Sequence, residues 1–128
     1  MVTAIIGKEH YRTELIASGK KVIADEPQDL GGTDTGPAPG EFLLMSLAAC
    51  TAITVRMYAD RKQIPLDSAR VEVSMEKHEF KTVFNRELYF TGNLTTEHRA
   101  KLLEIAEKCP IHKTLNAPIQ IETKVVEL

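Results

Sequence analysis

Pro39-Gly-Glu-Phe-Leu-Leu-Met-Ser-Leu-Ala-Ala-Cys50-Thr-Ala-Ile-Thr-Val-Arg-Met-Tyr-Ala-Asp-Arg-Lys62 is the stretch on which the fold turns. Proline suits the first turn of a helix, because its fixed φ fits there and its missing N–H would have no partner anyway. The segment stops short of Pro65, so the spacing predicts a helix from about Pro39 to about Lys62. Its first two-thirds is apolar on nearly every face, and only Asp60-Arg-Lys62 is plainly solvated. A helix apolar all round must be covered all round. At about 1.5 Å per residue the rod exceeds roughly 30 Å, and one chain of 128 residues cannot easily wrap it alone. The expectation is an obligate homodimer in which a second copy covers the remaining face.

Upstream, Tyr11 to Ser18, then Gly19, then Lys20 to Ala24 reads as a hairpin turning at Ser18-Gly19. Val2 to Ile6 is read as a further strand before it. Gly31-Gly-Thr-Asp-Thr-Gly-Pro-Ala-Pro39 is too rich in glycine and proline to be regular, and it connects the sheet to the helix. Downstream, Ala69 to Lys77 alternates strictly, with Val71, Val73 and Met75 on one side and Arg70, Glu72, Ser74 and Glu76 on the other: a strand with one wet face. Glu87 to Leu94 is its expected antiparallel partner, across a polar connection near Phe80 to Asn85. Thr95 caps a second helix with Glu97 in its first turn. On it Leu102, Ile105 or Ala106, and Cys109 share a face. Ile119 to Val126 is expected as a closing strand, with Ile119, Ile121, Thr123 and Val125 alternating. Strands, long helix, strands, helix and strand make an α+β fold, read as a single domain over 1–128.

Composition narrows the function. A formal net charge of −2 supplies no broad basic field, so nucleic acid and anionic membrane surfaces are not expected partners. The N-terminus lacks a charged start followed by a long apolar core, so no signal peptide is expected. The longest apolar run, Phe42 to Val55, is interrupted by Ser46, Thr51 and Thr54 and falls short of a membrane span. The expected setting is a reducing cytoplasm, where a cysteine pair cycles or stays reduced rather than forming a permanent staple.

Cys50 and Cys109 are the two cysteines of the chain, and both sit in apolar, helical stretches. By residue pattern alone Cys50 reads as a core thiol, since burial disfavours the thiolate. To act as a nucleophile it needs a cation brought from elsewhere in the fold. Arg56, six residues on, points away from it at roughly 100° per residue. Arg12, on the early hairpin, is the candidate to approach from a packed sheet. Cys109 is better placed: if Pro110 opens a short helix, Cys109 caps it and faces unpaired N–H groups, and His112 three residues on can touch the same sulfur. Cys-x-x-His is also half a zinc site, but His10, His78 and His98 show no matching spacing, so no metal is expected. The glycine loop lacks the Gly-Lys-Ser/Thr ending of a phosphate cradle.

The stretches Ala24-Asp-Glu-Pro27, Gly31 to Pro39, Glu41 to Cys50, Arg56 to Lys62 and Cys109-Pro-Ile-His112 together resemble the OsmC/Ohr family, over almost the whole chain, and most closely its OsmC-like branch. The resemblance implies an OsmC-like fold, with antiparallel sheets wrapped around a long central helix in an intertwined homodimer. It also implies thiol-dependent reduction of organic hydroperoxides in oxidative-stress defence, without metal, haem, flavin or other cofactor. In that scheme Cys50 matches the peroxidatic cysteine, which becomes a sulfenic acid. Cys109 matches the resolving cysteine, closing a disulfide that an external dithiol reduces. An Arg–Glu pair supports the thiolate in such enzymes; Arg12 and Glu41 are the residues here that take those places, Glu41 standing one position later than the family's glutamate. The alternative on the same scaffold is a weakly catalytic or non-catalytic small-molecule-binding or redox-sensing protein.

Overall fold

The computed structural model describes residues 1–127, which fall into two compact units, Met1–Met45 and the chain from Ser46 onward. In the first, β1 (Val2–Ile6), β2 (Thr13–Ala17) and β3 (Lys20–Ala24) form an antiparallel meander in the order β1-β2-β3. Ala17 pairs with Lys20, so the loop between β2 and β3 is only Ser18-Gly19, with φ of 51° and 75°. Two successive positive φ values make the turn whose twist matches that of the flanking strands. It is the turn expected from Ser-Gly. A short 3-10 turn over Gln28–Leu30 follows, closed by Gly31 in the left-handed region.

Helix α1 runs Pro39–Arg61, as the sequence predicts. Glu41 caps its start, the carboxylate accepting the Ala38 N–H at 3.0 Å. It ends where Gln63 enters the left-handed region (φ 55°) and the Ile64 N–H turns back on the Ala59 carbonyl at 2.9 Å. By length and composition α1 is long and apolar enough to cross a bilayer, which the interrupted Phe42–Val55 run understates.

In the second unit, β4 (Leu66–Lys77) and β5 (Thr82–Gly92) form a two-stranded antiparallel hairpin. Both strands are longer than expected. Asn85 and Arg86 look like connection residues, yet they belong to the ladder, paired with Ser74 and Val73. The real connection is the tight turn in which His78 N–H donates to the Lys81 carbonyl at 2.8 Å. Helix α2 (Thr96–Ala106) is capped by Thr95, whose hydroxyl oxygen accepts the His98 N–H at 3.0 Å while His98 Nδ1 accepts the Thr95 N–H at 3.2 Å. A histidine thus closes the reciprocal cap that a glutamate usually makes. Val55 and Ala59 of α1, Leu66 of β4, and Leu102 and Ala106 of α2 form the core of this unit. The two helices therefore pack on the inward face of the hairpin. A short helix α3 (Pro110–Leu115) follows.

The closing strand expected over Ile119–Val126 is not formed: residues 118–127 carry no regular structure. Alternation supplies a strand with two faces, but a strand also needs an edge to hydrogen-bond. No other described strand pairs with this segment, and Ile121 and Val125 are 84% and 92% exposed.

Candidate thiol site

The site lies in the second unit and is assembled by α1, β5 and α3. Leu47, Thr51, Val55 and Ala59 are the fully buried row of α1; residues four apart on a helix lie above one another. Thr51 is the one hydroxyl in that row. It donates to the Leu47 carbonyl at 2.7 Å, the back-bond that a buried threonine makes inside a helix. Cys50, beside it, is half-buried, and both cysteines are free thiols.

Cys109 caps α3. Its backbone is extended (φ −65°, ψ 143°), Pro110 opens the helix, and Sγ stands where a cap oxygen would, accepting the His112 N–H at 3.3 Å. Cys109 is 0% exposed. Its sulfur lies 3.8 Å from Thr51 Oγ1, and the Cys50 side chain is near enough to help lower its pKa. The fold therefore brings the two cysteines side by side.

Arg86 enters from β5. Its Nη1 donates to Thr51 Oγ1 at 3.0 Å, and its Nη2 lies 2.9 Å from His112 Nδ1. A guanidinium has donors only, so His112 Nδ1 is the acceptor, and the neutral ring carries its proton on Nε2. His112 therefore serves the site twice, with its backbone N–H on the sulfur and its ring on the arginine. These contacts set the acidity of Cys109. Burial pushes the thiol up, but the His112 N–H bond, the Cys50 and Thr51 side chains, and the Arg86 charge together outweigh it and hold the thiol below its ordinary value.

The other two expected site residues belong to the first unit, where each is engaged locally. Arg12 pairs with Glu14 at 3.6 Å, and the Glu41 carboxylate is the α1 cap. Among the described residues no group of three or more His, Cys, Asp or Glu side chains is arranged to hold a metal ion. Sequence reasoning missed Arg86 and the role of Thr51. A signal for Arg86 existed: it shares the inward parity of β5 with Phe84, Leu88 and Phe90. A charge on the apolar face of a strand needs a partner. Starting the strand at Glu87 hid it.

A profile of the family described as OsmC-like protein matches residues 32–124. None of the curated proteins matches the sequence. Among solved structures, an OsmC-like protein from Mycoplasma pneumoniae is 20% identical, with 90% of this chain and 85% of that one covered at a TM-score of 0.77. An organic hydroperoxide resistance protein OsmC from Legionella pneumophila is 24% identical (91% and 88% covered, TM-score 0.64). An organic hydroperoxide resistance protein from Elizabethkingia anophelis is 20% identical (90% and 86% covered, TM-score 0.64). At these identities the likeness is one of fold.

Proposed function

This chain belongs to the OsmC-like protein family, and on that premise we propose that it is a thiol-dependent peroxidase that reduces organic hydroperoxides with Cys50 and Cys109, working as a homodimer. The observation that carries the reading is that two free thiols from distant parts of the sequence meet at one site, one of them held toward the thiolate. A pair kept only as core filler has no need of a half-buried guanidinium network beside it. Two structural relatives named for organic hydroperoxide resistance point the same way.

Burial supports a division of labour. Cys109 is fully enclosed, whereas Cys50 is half-buried and can meet a substrate. The Cys50 sulfur attacks the distal oxygen of the hydroperoxide; the S–O bond forms, the O–O bond breaks, and the leaving alkoxide takes the proton given up by the Cys50 thiol and departs as the alcohol. Cys109 then attacks the Cys50 sulfenic sulfur. The S–S bond forms and hydroxide leaves, taking a proton to become water. An external dithiol reduces the disulfide by exchange and restores both thiols.

A steady-state assay with cumene hydroperoxide and dithiothreitol or lipoamide on the wild type, Cys50→Ser and Cys109→Ser tests this. Both variants are expected to lose dithiol-linked turnover, and the wild type treated with one equivalent of peroxide should lose two hydrogens by mass. Full activity in Cys50→Ser would overturn the reading. A wild type that binds but does not consume peroxide would favour a sensing or binding role.

A further inference from the structure

Resting on that reading, we propose that Arg86 is a positioning residue for the resolving step. By holding Thr51 of α1 and His112 of α3 with the two arms of one guanidinium, it keeps the Cys109 sulfur where it can attack an oxidised Cys50.

The need for such a clamp follows from α3. A helix of six residues gains too little from its own hydrogen bonds to hold its place. None of its residues is buried, so apolar packing alone does not anchor it. Its first turn is held by the Cys109 cap, 0% exposed, and by the His112 ring. Arg86 grips both sides of this junction: Nη1 donates to Thr51 Oγ1 at 3.0 Å and Nη2 to His112 Nδ1 at 2.9 Å. Each of those residues also reaches the Cys109 sulfur, Thr51 through its hydroxyl at 3.8 Å and His112 through its backbone N–H at 3.3 Å. The guanidinium is a rigid planar fork, so it sets the spacing of α1 and α3 on either side of the sulfur without touching it. Thr51 directly follows Cys50, so the arm that grips α1 does so beside the other thiol.

The partners of Arg86 point the same way. None of the described ion pairs includes it. An arginine taken out of water for stability alone is usually matched with a carboxylate. This one spends its donors on a hydroxyl and an imidazole, and both belong to residues that contact Cys109.

The clamp matters because resolution is a race. While Cys109 is out of place, the sulfenic acid at Cys50 waits, and a second hydroperoxide transfers its distal oxygen to the sulfur, leaving a sulfinic acid and an alcohol. Displacing a reacting group by about 1 Å can cost on the order of 100-fold in rate, enough to turn the outcome from disulfide to sulfinic acid.

Two measurements test this. In the first, the wild type, Arg86→Gln, Arg86→Lys, His112→Ala and His112→Asn receive a rising excess of cumene hydroperoxide, and disulfide and sulfinic acid are counted by mass. Arg86→Gln is expected to raise the ratio of sulfinic acid to disulfide about tenfold or more. His112→Ala keeps the backbone N–H on the sulfur and removes only the ring acceptor; it should do the same, and Arg86→Gln should add little to it. His112→Asn, which restores an acceptor, and Arg86→Lys, which restores one donor arm, should recover part of the ratio. The second measurement needs no peroxide. Dithiobis(nitrobenzoate) caps Cys50 as a mixed disulfide and releases one nitrothiobenzoate. Cys109 then attacks the Cys50 sulfur; the protein S–S bond forms, the mixed bond breaks, a second nitrothiobenzoate leaves, and the Cys109 proton passes to solvent. That second release should be absent in Cys109→Ser and, relative to the first release, slowed about tenfold or more in Arg86→Gln and His112→Ala. A second release as fast in Arg86→Gln as in the wild type would overturn the clamp. So would a first release slowed as much as the second, because the arginine would then serve Cys50. A normal second release in His112→Ala beside a slow one in Arg86→Gln would overturn it too, leaving charge alone as the cause. A wild type that closes its disulfide with this reagent but consumes no peroxide would overturn the peroxidase reading while sustaining the clamp.

Discussion

Asp25 is the residue on which the first unit most depends, and nothing in Asp25-Glu-Pro27 announces it beyond the end of a strand. It is 2% exposed. Its carboxylate accepts the backbone N–H groups of Tyr11 (3.0 Å), Glu26 (2.7 Å), Thr33 (3.4 Å) and Thr35 (3.1 Å), together with the hydroxyls of Thr33 and Thr35. The Thr35 hydroxyl bond, against the opposing effect of burial and aided by Thr33 and the Thr35 and Glu26 N–H groups, holds this carboxyl far below the usual carboxylate range. The glycine- and threonine-rich stretch that reads as mere loop is thus folded around one anion. Because the folded value is depressed, the stabilisation is fully present above the unfolded value of about 3.9 and is lost as pH falls below it. Asp25→Asn should therefore destabilise the protein at neutral pH and flatten the acid limb of its stability curve. Urea midpoints for the two proteins measured at descending pH check this; a gap that stays constant into acid would count against it. The same sign governs Cys109. Held low by its donors, the Cys109 thiolate in Cys50→Ser should appear with rising pH before the ordinary thiol range near about 8.5. With Arg86→Gln in that background the rise is expected at higher pH, as the thiolate absorbance would show.

At the scale of elements, what could be read in advance was local and periodic. The α1 boundaries follow from Pro39 and the run up to Arg61, the Ser18-Gly19 turn from its residue types, and the inward face of β4 from alternation. Leu102 and Ala106 of α2 are buried as expected, and so is Cys109, although α2 stops at Ala106 and Cys109 caps α3. What could not be read depends on register. Arg86 reaches Thr51 and His112 only because β5 starts at Thr82 and sets Arg86 opposite Val73, and a hairpin's register is not a property of either strand alone. The same packing yields two stability predictions. Leu102 is 0% exposed in the α1–α2–hairpin core, so Leu102→Ala should cost about 2–5 kcal/mol, the range for a deleted core leucine that leaves a cavity. Gly92 ends β5 at φ 132°, and a Cβ there would stand 2.2 Å from the Pro65 carbonyl oxygen. Gly92→Ala should cost about 1–3 kcal/mol through backbone strain. Denaturant unfolding measures both; a Gly92→Ala midpoint equal to the wild type would mean the strand end relaxes freely.

For the whole molecule, the unresolved matter is apolar surface. In the second unit the row Ala49, Ile53 and Met57 on α1 lies open, with Ile53 54% and Met57 66% exposed, and the tail carries Ile119, Ile121, Val125 and Val126 outward without a strand to join. In the first unit Val2, Ile5, Ile6 and Val22 are exposed on the meander. Scattered apolar residues are normal on a surface, but contiguous rows on a helix and an unpaired alternating segment mark places that protein covers. A second copy of the chain would satisfy both needs. It would cover the α1 row, and its open sheet edges could accept the tail, giving Ile119–Val126 the pairing that its alternation suits. The two observations then have one cause, and they make a joint prediction. The wild type should sediment as a dimer at micromolar concentration. Ile53→Arg with Met57→Arg should shift it to monomer while retaining helical circular dichroism, because substitutions at exposed positions usually cost a single chain only about 0.5 kcal/mol or less. Removing residues 118–128 should weaken the dimer through a different surface. A wild type that stays monomeric over the whole concentration range would refute the shared cause and leave the exposed α1 row to a different partner.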